Sequence, residues 1–281
     1  MVVLLGMRNA DQATVDGFGD EWSRFDQSRL SEAESRQAFE DYFRIFPWST
    51  LPDAAVGFDL GCGSGRWARR VAPRVGTLHC IDASPAALRV AEKNLGDRPN
   101  CVFHRASVSD MPLPDDSMDF GYSLGVLHHI PDPREGLRAC VKKLKRGGPF
   151  LVYLYYAFDN RPAWFRGIWR VSDLGRRVVS RLPKPLRFGV SEILAATIYL
   201  PMARTAKLLE RAGVDVEQFP LASYRNGSFY AMRTDALDRF GTRLEHRFTA
   251  AQIREMMNDA GLCEVVVGNQ FPYWCAVGTR C

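Results

Sequence analysis

The sequence has little that marks a specialised class of protein. No two of its seven cysteines form a C-x-x-C pair, which argues against a zinc ribbon or a thioredoxin-like site. It contains no internal repeat and no low-complexity tract. A formal net charge of +5 on 281 residues is too weak to indicate a nucleic-acid partner. With 46% hydrophobic and 25% charged residues, disordered, collagen-like and disulfide-framework chains are excluded.

We also predict no segment that would direct the chain to a membrane or out of the cell. The apolar start MVVLLG lacks a basic region and is too short for a signal peptide. The longest apolar stretch, near residues 188–202, is interrupted by Ser191 and Glu192, and we predict that it is too short to span a bilayer. The cysteines are odd in number and scattered among apolar neighbours, which predicts reduced thiols in a cytoplasmic protein.

Short apolar runs alternate with helical stretches through the middle of the chain. The runs typical of strands are 55–60, 77–82, 101–106, 118–125 and 149–156. Helices are predicted at 84–95, where Ser84 is the N-cap, and at 132–148, which would close at a glycine pair. A helix at 249–262 and two strands at 263–268 and 273–278 follow near the end. This alternation predicts an α/β protein with a doubly wound, seven-stranded, mostly parallel sheet.

We divide the chain into four segments. Residues 1–50 are predicted to form an N-terminal helical cap, with aromatic residues at 39, 42, 43 and 46 on one helical face. Residues 51–156 are the ligand-binding core. Residues 157–235, which are rich in proline and arginine, form a helical lid inserted after the fifth strand, and residues 236–281 complete the core.

The first strand delivers Asp59 to a glycine-rich turn, Gly61-Cys62-Gly63-Ser64-Gly65. Ligands of open α/β sheets bind at this edge, where glycines let the backbone approach closely and a helix N-terminus offers free N–H groups. A dinucleotide site needs G-x-G-x-x-G, and here the third glycine comes one residue early, which disfavours a dehydrogenase. The second strand ends in another acid, Asp82, which strengthens the prediction of a ligand site.

These motifs resemble those of the class I S-adenosylmethionine-dependent methyltransferases, in the group that includes the ubiquinone- and menaquinone-biosynthesis methyltransferases. The matching segments are FDLGCGSG (58–65), HCIDASP (79–85), MPLPDDSMDF (111–120), SLGVLHHIPDP (123–133) and LKRGGPFLV (144–152). The resemblance covers roughly residues 54–156. It implies a Rossmann-like fold and S-adenosyl-L-methionine as cofactor, with S-adenosyl-L-homocysteine as product, but it is poorly specific for the substrate.

The resemblance also implies roles for particular residues. Asp82 would accept hydrogen bonds from both ribose hydroxyls, because a carboxylate suits a vicinal diol. Many members have an aspartate where this chain has Ser107, so the adenine amino group would rely on that hydroxyl or on Asp110. The residues that would hold the methionine part are Asp59, Gly61, Cys62, Gly63 and Gly65. Those that would line the adenine or the cofactor's amino acid are Ala83, Ser107, Val108, Ser123 and Leu124.

His128 and His129 follow the fourth strand and are the candidate catalytic bases, since an acceptor hydroxyl must lose its proton. A structural role in shaping the loop is the alternative. The [DNS]-P-P-[YFW] loop of nucleic-acid amino methylases is absent after this strand, so we expect a small-molecule acceptor, methylated on oxygen and held under the lid. An RNA methyltransferase and a non-catalytic cofactor-binding protein are the alternatives. We predict no metal site.

The positive charge of the chain is concentrated in the insert. Residues 161–187 contain eight Lys or Arg and one acid, a balance of +7, which leaves −2 for the remainder. Apolar residues recur there at helical spacing between the arginines. This pattern is compatible with a solvated lid helix, with an anionic or lipophilic acceptor, or with peripheral contact with an anionic membrane. The candidate substrate contacts are Trp22, Arg166, Arg170, Tyr224, Arg225, Tyr230 and Arg247.

Overall fold

A computed structural model describes residues 7–281, so the apolar start and the prediction made for it lie outside the described residues. The described chain forms two compact units. The sheet unit comprises residues 7–27, Ser35–Ala157 and Leu244–Cys281. The helical unit comprises Ser28–Glu34 and Phe158–Arg243.

A seven-stranded sheet with the order β3-β2-β1-β4-β5-β7-β6 forms the centre of the sheet unit. Its strands are β1 (Val56–Leu60), β2 (Thr77–Asp82), β3 (Cys101–Arg105), β4 (Phe120–Leu124), β5 (Pro149–Tyr153), β6 (Leu262–Val267) and β7 (Cys275–Arg280). The first five strands are parallel, and β7 runs antiparallel to both β5 and β6. The predicted doubly wound, mostly parallel sheet of seven strands is confirmed.

The α-helices are α1 (Gln12–Arg24), α2 (Glu32–Tyr42), α3 (Ala68–Val71), α4 (Pro85–Asn94), α5 (Pro133–Lys143), α6 (Ala163–Val179), α7 (Lys184–Leu194), α8 (Leu200–Arg211), α9 (Phe229–Gly241) and α10 (Ala250–Asp259). Ser84 caps α4 as predicted, because its hydroxyl accepts a hydrogen bond from the N–H of Ala87. Thr249 and Gln252 form a capping box that begins α10.

Two helices end earlier than the sequence predicts. The glycine pair was expected to close α5, but the helix ends at Lys143 because Leu144 is extended and bridges to Met118. The predicted helical face at 39–46 is also too long, since α2 ends at Tyr42. Pro47 disfavours helical geometry in the residue before it. Phe46 nevertheless joins the apolar core on one side of the sheet, together with Phe39, Phe43, Phe120 and Tyr122.

The helical unit extends to Arg243, beyond the boundary predicted after residue 235, because α9 runs across that position. An ion pair within α6 and a hydrogen bond from it to the end of α9 stabilise this unit internally. Asp173 and Arg176 of α6 are both buried and lie 2.7 Å apart (Oδ1 to Nε), and the Arg176 guanidinium donates to the carbonyl of Thr242. A buried pair of this kind holds its partners in place, since removing either one leaves an uncompensated charge.

The long apolar stretch belongs to a longer helix than the sequence predicts. α7, a π-helical turn at 195–199 and α8 form one helical stretch of 28 residues, Lys184–Arg211, long and apolar enough to span a membrane by length and composition. The helix continues through both polar residues, of which Ser191 is buried and Glu192 pairs with Arg233. A single helix of this kind is weak evidence for a membrane span, because core helices of soluble proteins pass the same test.

The prediction that all cysteines are reduced thiols is also wrong, since Cys263 and Cys281 form a disulfide. Cys263 lies on β6 and Cys281 directly follows β7, so the antiparallel pairing of the two strands brings their Cα atoms to 5.5 Å. The other cysteines are free, namely Cys62, Cys80, Cys101, Cys140 and Cys275.

A glycine substitution tests the packing of the central strands. A Cβ on Gly57 of β1 would overlap the buried ring of Phe120 on β4, so Gly57→Ala should lower the free energy of unfolding by about 1–3 kcal/mol. Gly17→Ala in α1 is the matched control, because nothing lies within 4 Å of its added Cβ. It should leave stability unchanged or raise it by about 0.5–1 kcal/mol. Urea unfolding followed by circular dichroism measures both, and equal midpoints would contradict this packing.

Candidate active site

Asp59 lies near the carboxyl end of β1, at the centre of the sheet. It is buried, and Oδ2 accepts a hydrogen bond of 2.9 Å from the hydroxyl of Tyr122 on the adjacent strand β4. Oδ1 is also buried and has no partner among the described residues. Burial raises the pKa of Asp59 to about 8, because the charged form loses its water. The unsatisfied oxygen therefore marks a place for a hydrogen-bond donor from outside the chain.

Residues other than glycine would be strained in the turn after β1. Gly61 and Gly63 have φ of 74° and 54°, the left-handed region that side chains disfavour. A Cβ on Gly61 would overlap Val126, and one on Gly63 would lie 2.8 Å from the indole of Trp22 on α1. The turn thus brings bare backbone to the sheet edge, and Trp22 lies against it.

Asp82 ends β2 beside this turn. Its Oδ2 accepts from the N–H of Gly63 at 2.9 Å and its Oδ1 from the N–H of Ser84 at 2.8 Å. Burial raises the pKa of Asp82, and these two hydrogen bonds oppose that effect. Each oxygen keeps a further lone pair, so the fixed carboxylate can accept two more donors, such as the hydroxyls of a diol.

The residues predicted to bind the adenine follow β2 and β3. Ala83 directly follows β2, and Val108 begins a short 3₁₀ turn after β3. The hydroxyl of Ser107 donates a hydrogen bond of 2.8 Å to Asp110 Oδ2. The two side chains predicted to take the place of the family's aspartate are therefore in direct contact. The backbone N–H of Arg8 donates to the same carboxylate.

Ser123 and Leu124, at the end of β4, are both buried. The Ser123 hydroxyl donates to the carbonyl of Leu60 on β1 at 3.1 Å. This hydroxyl therefore links two strands, and Ser123 can contact a ligand chiefly through its backbone.

His128 and His129 lie in a 3₁₀ turn after β4, and both are buried. Neither ring nitrogen of His128 has a partner among the described residues, and its ring centroid lies 3.8 Å from that of Tyr155. Burial, and secondarily the neighbouring His129, lowers the pKa of His128 well below its ordinary value, so this imidazole is neutral. Nδ1 of His129 lies 2.7 Å from the carbonyl oxygen of Leu244 and donates to it.

The predicted substrate contacts divide between the two units. Trp22 lies against Gly63, and Arg247 lies over the ring of Tyr155 at 5.1 Å while pairing with Glu245. Both belong to the sheet unit, beside the candidate site. The other five contacts belong to the helical unit, namely Arg166, Arg170, Tyr224, Arg225 and Tyr230. Of these, Arg225 pairs with Glu210 at 2.8 Å.

Sequence analysis did not identify Tyr122 or Tyr155, both of which belong to the site. Tyr122 sits opposite Asp59 in the register of β1 and β4, so only strand alignment could have found it. Tyr155 follows the end of β5, next to the strand that precedes the histidines. Across residues 7–281, no group of three or more His, Cys, Asp or Glu side chains is placed to hold a metal ion.

The known proteins to which this chain is similar are methyltransferases. Residues 58–152 match a family model described as a methyltransferase domain. The chain is 25% identical over 192 residues to 27-O-demethylrifamycin SV methyltransferase of Amycolatopsis mediterranei, a match that covers 64% of each protein. It is 25% identical over 182 residues to a ubiquinone biosynthesis O-methyltransferase of Nitrosomonas europaea, covering 63% of this chain and 71% of that protein.

A similar fold occurs in a solved structure of an O-methyltransferase family protein from Burkholderia thailandensis. The TM-score is 0.52 at 16% identity, over 96% of this chain and 60% of that one, so the likeness concerns the fold alone. The family match and these relatives identify a class I S-adenosylmethionine-dependent methyltransferase. The family model covers residues 58–152, about a third of this chain, and the chain spans 64% of the length of the rifamycin methyltransferase.

The site fits the family's cofactor, S-adenosylmethionine. Asp59 Oδ1 is a buried acceptor without a partner in residues 7–281, which suits the ammonium group of the methionine part. The glycine turn begins two residues after Asp59, and its Gly63 N–H fixes the carboxylate of Asp82, which suits the ribose hydroxyls. Asp59, Asp82 and the turn are therefore the residues that would hold it.

The raised pKa of Asp59 predicts that cofactor binding depends on pH. Below about pH 8 the carboxyl is protonated, so pairing with an ammonium group must first release that proton. The affinity for S-adenosylhomocysteine should therefore rise with pH between about 6 and 7.5, by up to about tenfold per pH unit. Calorimetry in buffers of different ionisation enthalpy measures both the affinity and the proton released.

Asp59→Asn should bind more weakly and lose this pH dependence, because the amide does not titrate. Asp97→Asn is the matched control, since Asp97 is exposed and lies outside the site. The affinity of this variant for S-adenosylhomocysteine should depend on pH as in the wild type. A wild-type affinity that stays constant over this pH range would contradict the role given to Asp59.

Proposed function

We propose that this protein transfers a methyl group from S-adenosylmethionine to a hydroxyl of a small-molecule acceptor. The observation that carries this proposal is the state of His128. It is a buried, neutral imidazole with no partner at either nitrogen among the described residues, and it lies directly after β4. A buried polar group of this kind calls for a partner, and an acceptor hydroxyl is one that a neutral imidazole can deprotonate.

The cofactor supplies a methyl group already activated on a sulfonium sulfur. The protein's own contribution is then to position the acceptor, exclude water and accept a proton. His128 has a free lone pair for that proton. His129 stays oriented by the Leu244 carbonyl, which fixes its Nδ1 as a donor and leaves Nε2 as the acceptor nitrogen.

Aromatic side chains around the histidines support an acceptor with an apolar or aromatic body. The ring of Tyr153 lies 5.0 Å from that of Tyr42 and 5.9 Å from that of Tyr155, and Phe18 packs 5.0 Å from His129. Flat apolar surfaces hold a ring by stacking while the polar edge reaches the histidines. Oxygen as the methylated atom is supported by the names of the two relatives, a ubiquinone biosynthesis O-methyltransferase and a 27-O-demethylrifamycin methyltransferase.

The proposal is tested with labelled S-adenosylmethionine and a panel of catechols, quinols, hydroxy acids, primary amines and total RNA. We expect label in an aromatic hydroxyl compound. Transfer to RNA or to amines alone would contradict O-methylation, and failure to bind S-adenosylmethionine in calorimetry would contradict the methyltransferase assignment itself.

His128→Asn tests the role of the imidazole once an acceptor is found. Removing the proton acceptor should lower kcat by about 10²–10⁴-fold and leave the affinity for S-adenosylhomocysteine unchanged. His104→Asn is the matched control. His104 lies on β3 and hydrogen-bonds His79 at 2.9 Å, away from the candidate site, so its loss should not change kcat. Full turnover in a variant lacking both His128 and His129 would exclude them as bases.

A further inference from the structure

Exposed apolar side chains are concentrated in the helical unit. Among the described residues, fourteen large hydrophobic side chains are exposed, and eleven of them lie between Phe158 and Arg243. Scattered exposed apolar residues are ordinary on a protein surface, but a contiguous group marks a contact surface.

The densest group lies on one face of α6. Trp164 and Val171 are 53% and 71% exposed, although they are large apolar residues. The members of this group recur at intervals of three, four or seven residues, so they form one stripe along the helix. The apolar stripe consists of Trp164, Ile168, Val171, Leu174 and Val178.

Arginines border the apolar stripe on one side. At 3.6 residues per turn, these four arginines fall together beside it, and they are exposed: Arg166, Arg170, Arg177 and Arg181. Only Asp173 offers a negative charge in residues 161–187, and it already pairs with Arg176 and Arg177. Arg166 and Arg170 have no ion pair among the described residues. The border therefore carries positive charge that the chain itself does not neutralise.

We propose that the apolar stripe of α6 docks on the surface of an anionic lipid bilayer. A helix with an exposed apolar face and a cationic border lies in the plane of the interface, with its apolar side chains in the acyl region. The arginines then meet lipid phosphates, to which guanidinium groups donate paired hydrogen bonds. This inference does not depend on the identity of the acceptor or on methyl transfer.

The charges favour a bilayer over a second copy of this helix. An apolar stripe could also be covered by dimerisation, but a second α6 brings only further arginines and no unpaired acid. Like charges facing each other weaken such a contact. An anionic surface neutralises the whole border at once.

Vesicle co-sedimentation of the full chain tests the proposal. We expect binding to phosphatidylcholine vesicles that contain phosphatidylglycerol, little binding to phosphatidylcholine alone, and release at about 1 M salt, where the Debye length is about 3 Å. Arg170→Gln should weaken binding about fivefold, since each cation near an anionic surface contributes a factor of that order. Val171→Ser should weaken it about tenfold, because an apolar side chain no longer enters the bilayer.

Two control variants make the same substitutions, Arg to Gln and Val to Ser, at exposed positions outside α6. Arg254→Gln removes an exposed arginine from α10, and Val266→Ser removes an exposed valine from β6. Both should bind vesicles like the wild type. Absence of binding to anionic vesicles at low salt would overturn the proposal. So would a dimer in solution that Val171→Ser dissociates while vesicle binding stays at background, because the stripe would then be covered by a second copy.

Discussion

The candidate active site at the carboxyl ends of the strands depends on the buried carboxyl group of Asp59. A carboxylate in an apolar interior loses its hydration, and the neighbouring strand contributes only one hydrogen bond to it, from Tyr122. In the empty protein the carboxyl therefore keeps its proton below about pH 8, and its other oxygen has no partner among the described residues. An ammonium group at that oxygen stabilises the charged form, so ligand binding beside the glycine turn is coupled to the loss of this proton.

The fold could be predicted largely because its signals are local. Alternating apolar runs and helical stretches identify each strand to within a few residues, and the Ser84 and Thr249 side chains mark helix starts directly. The candidate cofactor site could be proposed from the sequence for the same reason. Asp59, the glycine turn and Asp82 each lie at a strand end, and parallel strands bring their carboxyl ends to one edge.

What the sequence could not predict depends on partners distant in the chain. The hydrogen bond between Tyr122 and Asp59 requires the register of two strands 63 residues apart. The disulfide requires the pairing of the last two strands, and the end of α5 is decided by the bridge of Leu144 to Met118. Ser191 and Glu192 look like interruptions in an apolar run, yet the helix continues through both, and Glu192 pairs with the distant Arg233.

The strand order has a consequence for synthesis. β7 fills the place between β5 and β6, but it is made only after the whole helical unit. More than a hundred residues separate the end of β5 at Tyr153 from the start of β7 at Cys275. At about 5–20 residues per second, the ribosome leaves the outer edge of β5 unpaired for roughly ten seconds. During that interval the nascent chain has a row of unpaired backbone N–H and C=O groups on β5, with which a strand of another chain can pair.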